Sequence, residues 1–324
     1  MKQKIEISYK TILFIAFLVL FLLFLYKIVS ILILFFVSYL IASAITPLVD
    51  KMQKRRIPRG LAIIIIYILI ILVLSLVLSS IVPALIEQTS ILAENMSTPL
   101  SSLPFLRIDL NTLSNQLELI SRNVVGLLKI VISAAGNILT ILALLVLTFY
   151  LSYEKKNLNM YLEKLFDGEK KAKVMSFIKE LDRVLGGWLI GQLTLMLIIG
   201  LTSYLGLLVL GVHFALPLAL LAGLLEFIPN LGPTLALVPA ALVAWSMNPL
   251  LGVGTIVLYI VIQQLENYII VPQVMRRAVG IHPLVSLLCL LIGGKIYGFI
   301  GVLLAIPVFL LLRTIFLEFH FKNS

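Results

Sequence analysis

Three absences narrow this chain before any motif is read. Cysteine occurs once, as Cys289 inside an apolar run, so no disulfide framework can form. Charge is scarce: 12% of the residues are charged and 61% are apolar, far from the averages of soluble globular domains. Enzyme signatures are missing as well. The Gly-Gly-Lys at Gly293 lacks the first glycine and the Ser/Thr of a phosphate loop, and there is no His-Glu-x-x-His, Gly-x-Ser-x-Gly or cysteine pair. The expectation is a protein that is not an enzyme, carries no cofactor or metal, and does not couple directly to ATP. The net charge of +10 raises the question of nucleic acid, but aromatic-rich RNA- or DNA-binding motifs are absent and the basic residues sit in loops beside apolar runs. A positive-inside bias explains that charge better, and no nucleic-acid partner is expected.

What is present is a series of apolar runs long enough to span a bilayer, which need about 20 residues each. The sequence therefore predicts an all-α polytopic membrane protein with about six full transmembrane helices. Two re-entrant or broken helical hairpins follow in the C-terminal half, and an extracytoplasmic amphipathic segment lies between. Residues 1–82 hold three spans, at 11–26, 28–49 and 61–82, with Lys27 in a short turn between the first two. The N-terminal stretch has the charge of a signal peptide but no small-residue cleavage site, and reads as a retained span. Asp50 to Arg59 carries five basic residues and one acid, the clearest cytoplasmic loop in the chain.

Residues 83–133 are the longest non-spanning region, with acids (Glu87, Glu94, Asp109, Glu118) balancing the few basic residues. Leu113, Leu117, Ile120, Val124, Leu127 and Val131 form one helical stripe, either resting on the membrane domain or joining protomers. Residues 134–183 contain the fourth span and a lysine-rich linker. In that linker Val174, Phe177, Ile178, Leu181 and Leu185 give an amphipathic cytoplasmic helix at the lipid interface. Residues 184–324 form the core, with spans at 184–210 and 250–271.

The core is organised around Glu226-Phe-Ile-Pro-Asn-Leu-Gly-Pro233, flanked by apolar runs too short to span. Its prolines, glycine and asparagine rule out an unbroken helix. Backbone freed at membrane depth is tolerated only when it is packed in protein or lines a wet cavity. Gly211-Val-His213, Pro217, Gly232 and Pro239 are echoed by Gly280-Ile-His282, Pro283, Gly298 and Pro307, with the second break at Gly293 to Gly298. Two such hairpins entering from opposite faces are the mark of an inverted repeat and of alternating access around a midplane site.

Of the fifteen acidic residues, only Glu226 and Glu266 fall inside apolar runs. A charge at bilayer depth costs at least about 2.5–3.5 kcal/mol, so each is either a coupling-ion or proton site or a hydrogen-bonded brace between helices. Lys295, at the second tip, is expected to face Glu226. Gln192, Asn230, Gln263, Gln264 and Asn267 supply uncharged polar groups suited to a small polar solute or to bonds between helices. Pro229, Gly232 and Pro233 shape the backbone of the tip. His213 and His282 sit at hairpin entrances and read as interfacial.

Taken together, Gly191-Gln192, Phe227 to Pro233, Gln264-x-Glu266-Asn267 before Val271-Pro272, His282-Pro283-Leu284 and Gly298-x-x-Gly301 resemble the autoinducer-2 exporter family of permeases. The likeness covers nearly the whole chain. It implies a prokaryotic inner-membrane protein forming a homo-oligomer; the basic loops and the count of spans, six full ones and one hairpin entered from outside, place both termini in the cytoplasm. Members of that family have been assigned export of autoinducer-2 and exchange of sodium or lithium for protons. Three functions are therefore open: a permease exporting a small polar metabolite, a cation/proton antiporter using Glu226 and Glu266, and a non-transporting membrane scaffold.

Overall fold

In lipid the backbone must satisfy its own polar groups, and runs this apolar have the helix as their local solution. The computed structural model describes residues 9–95, 138–229, 232–275 and 280–321, and helices with their connecting turns account for all of them. Among the described residues, six stretches are long and apolar enough to cross a membrane: Lys27–Lys54, Arg59–Ile81, Ile138–Asn157, Gly168–Leu210, Pro249–Met275 and Leu284–Glu318.

The first helix corrects the sequence reading. α1 (Tyr9–Lys54) is a single helix of 46 residues, with no turn at Lys27 between two spans. Lysine is a good helix former, and no proline interrupts α1 before Pro47, so nothing local stops the helix at that point. At about 69 Å, α1 is roughly twice as long as the hydrocarbon core is thick. α2 (Arg59–Asn95) likewise runs through Pro83 into the region read as extracytoplasmic. A proline removes one helical hydrogen bond and bends the axis, but flanking turns hold the helix together. The Leu113 to Val131 stripe lies outside the described residues.

The turn between α1 and α2 holds more than a topology signal. Arg59 is buried, donating from Nε to the Ser152 carbonyl at 2.9 Å and from one terminal nitrogen to Asp50 at 2.6 Å and Gln53 at 3.1 Å. It ties α1, α2 and α3 (Ile138–Glu154) at one end of the bundle. Asp50 is half exposed, so the ion pair itself contributes little, and the buried donor matters more. Arg59→Ala is expected to lower stability by about 1–3 kcal/mol, read as a reduced melting temperature in detergent, with Arg59→Lys recovering only part of it because the forked donors are lost.

A 3-10 turn at Lys155–Asn157 leads to the short α4 (Leu158–Leu165) and then to α5 (Gly168–Leu210), 43 residues long. The amphipathic stretch and the span after it are thus one continuous helix. Its apolar face also meets a different neighbour from the one expected. Phe177, Leu181 and Leu185 pack on Leu40 and Ala44 of α1 and on Ile306 and Leu310, instead of lying on lipid. Asp182 explains why: it accepts from Tyr39 at 2.9 Å and Ser43 at 2.7 Å, and pairs with Lys155 at 2.7 Å, so this face of α5 is bonded to protein.

Both C-terminal breaks are present. α6 (Ala215–Leu225) and α7 (Gly232–Met247) are separated by a non-helical tip that begins at Glu226. α8 (Pro249–Leu265) continues through a π turn (Glu266–Ile270) into α9 (Val271–Met275). α10 (Pro283–Phe321) contains a break at Tyr297 and Gly298, where Gly298 has φ 59° and ψ −139°, a conformation open to glycine. Its halves fold back on each other, because a Cβ added at Gly293 would come within 2.9 Å of the Gly301 carbonyl carbon and 3.1 Å of the Ala305 Cβ. Residues eight apart on one straight helix could not meet in this way. The two hairpins touch: Ile228 of the first tip packs with Leu290 and Ala305 of the second.

Candidate functional site

The site forms where the first break meets α5 and α8. α6 ends because Pro229 cannot continue it and the chain must reverse before α7. The reversal is tight. A Cβ on Gly232 would lie 2.6 Å from the Glu226 Cα and 2.8 Å from its nitrogen, and would strike a Glu226 carboxylate oxygen as well. Only glycine fits there. Pro233, in the first turn of α7, costs nothing because its missing N–H has no partner at a helix start. On the other side Phe227 meets Trp188 of α5 edge to face, with centroids 6.2 Å apart at 85°. That contact and the Ile228 packing hold the tip between α5 and α10.

Three polar side chains converge on this tip, and all are sealed from solvent. Gln192, Glu226 and Glu266 each have 0% exposure. Gln192 donates through Nε2 to the Glu226 backbone carbonyl, which the broken helix leaves free. Glu266 opens the π turn of α8 and faces Glu226, whose chief charged neighbour it is. The π turn has a local cause. Pro272 cannot donate to the carbonyl four residues back, and the Val271 N–H instead bonds the Glu266 carbonyl, five residues back. Gln263 donates to Glu266 Oε2 at 3.4 Å and accepts from Thr234 of α7 at 2.9 Å, joining the carboxyl pair to the far side of the tip.

Four oxygens in this cluster accept from no amide, hydroxyl or backbone N–H: Gln192 Oε1, both carboxyl oxygens of Glu226, and Glu266 Oε1; the two carboxyls lie within hydrogen-bonding reach of each other when one holds a proton. Two carboxylates buried together repel by about 4 kcal/mol at 4 Å with an effective dielectric of 20. Such an arrangement persists only when a proton, a cation or a donor-bearing molecule occupies it.

The other expected site residues are distributed differently. Lys295 does not face Glu226. It is exposed on α10, while the Glu226 oxygens are buried and unpaired. An ammonium at the second tip reaches polar surroundings more cheaply than it enters the sealed cluster. Gln264 and Asn267 are also exposed, Pro229 is half-buried in the tip, and Asn230 lies outside the described residues. His213 contacts the Met247 sulfur at 3.1 Å, and His282 Nδ1 accepts the Leu284 N–H at the start of α10. Thr234 and Trp188 escaped the sequence reading. Threonine inside an apolar helix and tryptophan beside a glycine pair carry no spacing signal, and both gained their roles from helices distant in sequence.

Comparison with known proteins was made on this basis. The family model described as AI-2E family transporter matches residues 15–320. Two Bacillus subtilis (strain 168) proteins provisionally named as transport proteins are similar: YueF, 24% identical over 292 residues, covering 83% of this chain and 79% of that protein, and YrrI, 26% identical over 300 residues, covering 88% and 84%. The AI-2 transport protein TqsA of Escherichia coli (strain K12) is 28% identical over 288 residues, covering 86% of this chain and 83% of TqsA.

Proposed function

Because the chain belongs to the AI-2E transporter family, we propose that it is a secondary permease that exports a small polar solute through an occluded site at the junction of its broken helices. One observation carries this reading: four buried oxygens that no amide, hydroxyl or backbone N–H reaches, three of them on a pair of carboxyls, meet at a break in an apolar hairpin. A lining of bare acceptors suits a solute rich in hydroxyl or amine donors, and the name of TqsA supports a cargo of the autoinducer-2 kind. Alternating access then consists of rocking the Glu226 tip between α5 and α10, exposing the cluster first to one face and then to the other.

The basic turn between α1 and α2 supports a cytoplasmic position for that end of the bundle, in a prokaryotic inner membrane. With no turn in α1, the span count that placed the N-terminus in the cytoplasm loses one crossing. The apolar stripe at Leu113 to Val131 is the surface we assign to contact between protomers.

The test is efflux from proteoliposomes loaded with autoinducer-2 or with polyols of similar size. The expected result is solute efflux that does not require sodium. Sodium-driven proton flux with no solute movement would replace this reading with cation exchange, and no flux of either kind would leave a scaffold.

A further inference from the structure

Outside the carboxyl cluster, α8 carries a second polar level in the buried core. The buried residues of α8 and its π turn are Gly252, Thr255, Tyr259, Ile262 and Glu266, a three-and-four spacing that sets them on one stripe. Tyr259 therefore lies seven residues, about 10 Å, along the helix from Glu266. Ser203, on the buried stripe of α5, is the polar side chain beside its hydroxyl. Tyr259 is 1% exposed and Ser203 0%, and neither hydroxyl bonds any other group among the described residues. Two turns further on, Trp245 of α7 lies against Gly252 of the same stripe. Its indole N–H is buried and has no acceptor among the described residues.

Two hydroxyls paired only with each other use one donor and one acceptor, and leave a donor and several lone pairs free. Buried polar groups are nearly always satisfied, so the surplus needs a reason. The two levels also differ in chemistry. The carboxyl cluster presents oxygens, whereas Tyr259 and Ser203 donate as well as accept and Trp245 only donates. Between the levels the packing is apolar. Ile199 falls between Gln192 and Ser203 on α5, and Ile262 between Glu266 and Tyr259 on α8; they are 0% and 3% exposed. Both belong to one buried cluster with Ala222, Ala236 and Ala240 of the first hairpin.

Resting on the permease reading, we propose that Tyr259 and Ser203 form a second solute subsite that reads hydroxyl groups, reached from Glu226 and Glu266 when Ile199 and Ile262 swing aside. A solute hydroxyl donates to a carboxyl oxygen at the first level, and both donates and accepts at the second. An ammonium or a metal ion suits the first level only. Neither accepts a hydrogen bond, so the Trp245 N–H and the spare hydroxyl donor stay unpaired against it. The cargo class is therefore a neutral polyhydroxy solute, handed in export from the carboxyl pair to the hydroxyl pair.

The test is efflux from proteoliposomes holding the full-length protein, loaded with ribitol or with cadaverine, a diamine of the same chain length. Melting in detergent is measured on the same preparations. Wild type is expected to export ribitol about tenfold faster than cadaverine, the effect of one buried donor left unpaired. Tyr259→Phe removes one oxygen and keeps the ring. It is expected to cut ribitol efflux about tenfold with the melting temperature unchanged or raised, and Ser203→Ala to act in the same direction. If the two hydroxyls only brace α5 against α8, both substitutions lower the melting temperature and leave flux per folded molecule level, which overturns the subsite. Equal export of ribitol and cadaverine overturns it too. Wild-type ribitol efflux that neither substitution changes overturns the subsite alone and leaves the permease reading standing. No ribitol efflux from wild type also overturns the subsite, and autoinducer-2 efflux in matched vesicles then shows whether the permease reading falls with it.

Discussion

Glu226→Gln is expected to cut solute efflux by about 10- to 100-fold while leaving the folded protein as stable as before, or more so. The substitution preserves size and shape and removes only the ionisable oxygen. A charge-assisted hydrogen bond is worth about 1.5–3 kcal/mol, which sets the loss of affinity for a donor-bearing cargo. Stability should not fall, because a buried carboxyl facing another carboxyl is a burden on the fold, and a neutral replacement relieves it. Glu266→Gln is expected to act in the same direction, and the double variant to be little worse than either single one, since the two carboxyls serve one site. Flux in proteoliposomes and melting in detergent, measured on the same preparations, decide the matter. If Glu226 were only a brace between helices, the melting temperature would drop and flux per folded molecule would stay level.

The second large effect is expected from a single methyl group. Gly232→Ala places a Cβ 2.6 Å from the Glu226 Cα, where the obstacle is backbone and cannot rotate away. The tip must open, at a cost of about 1–3 kcal/mol by the measure of overpacked cores, and the geometry between Glu226, Gln192 and Glu266 goes with it. Both stability and flux are expected to fall. Gly254→Ala supplies the control, since its nearest neighbours are the Leu210 methyls at 3.6 Å and 4.0 Å, ordinary contacts. In α8 that change is expected to be neutral or stabilising by up to about 1 kcal/mol, from helix propensity alone. Equal losses in the two variants would show that Gly232 has no special place.

These two residues also mark how far the chain could be read without coordinates. Glu226 stood out because a charge in an apolar run is expensive wherever the run is placed. Glu266 stood out by the same criterion, but not as the group that faces it. Glu266 lies 40 positions later, and the sequence pointed to Lys295 instead, on the reasoning that a carboxylate seeks a cation. That reasoning holds for a pair free to meet; here α10 leaves its lysine at the surface and α8 carries the second acid inward. Gln192 and Gln263 were recognised by polarity, yet the same criterion also picked Gln264 and Asn267, which stay exposed. Which side of a helix a residue occupies depends on the neighbour it packs against, and polarity alone does not record that. The π turn that starts at Glu266 had a local signal in Pro272, whose ring and missing N–H disturb the regular helix in the turn before it.

The residues by themselves determined the helical membrane class, the two breaks near Glu226 and Gly298, and the family, because each depends on local chemistry: apolar length, a missing N–H, a φ open to glycine, and motifs contiguous in the chain. Tertiary structure decided the rest. It turned the face of α5 from lipid to protein and brought two carboxyls together out of reach of solvent. Those outcomes arise from contacts between segments tens to more than a hundred residues apart, and their energies exist only once the helices have packed.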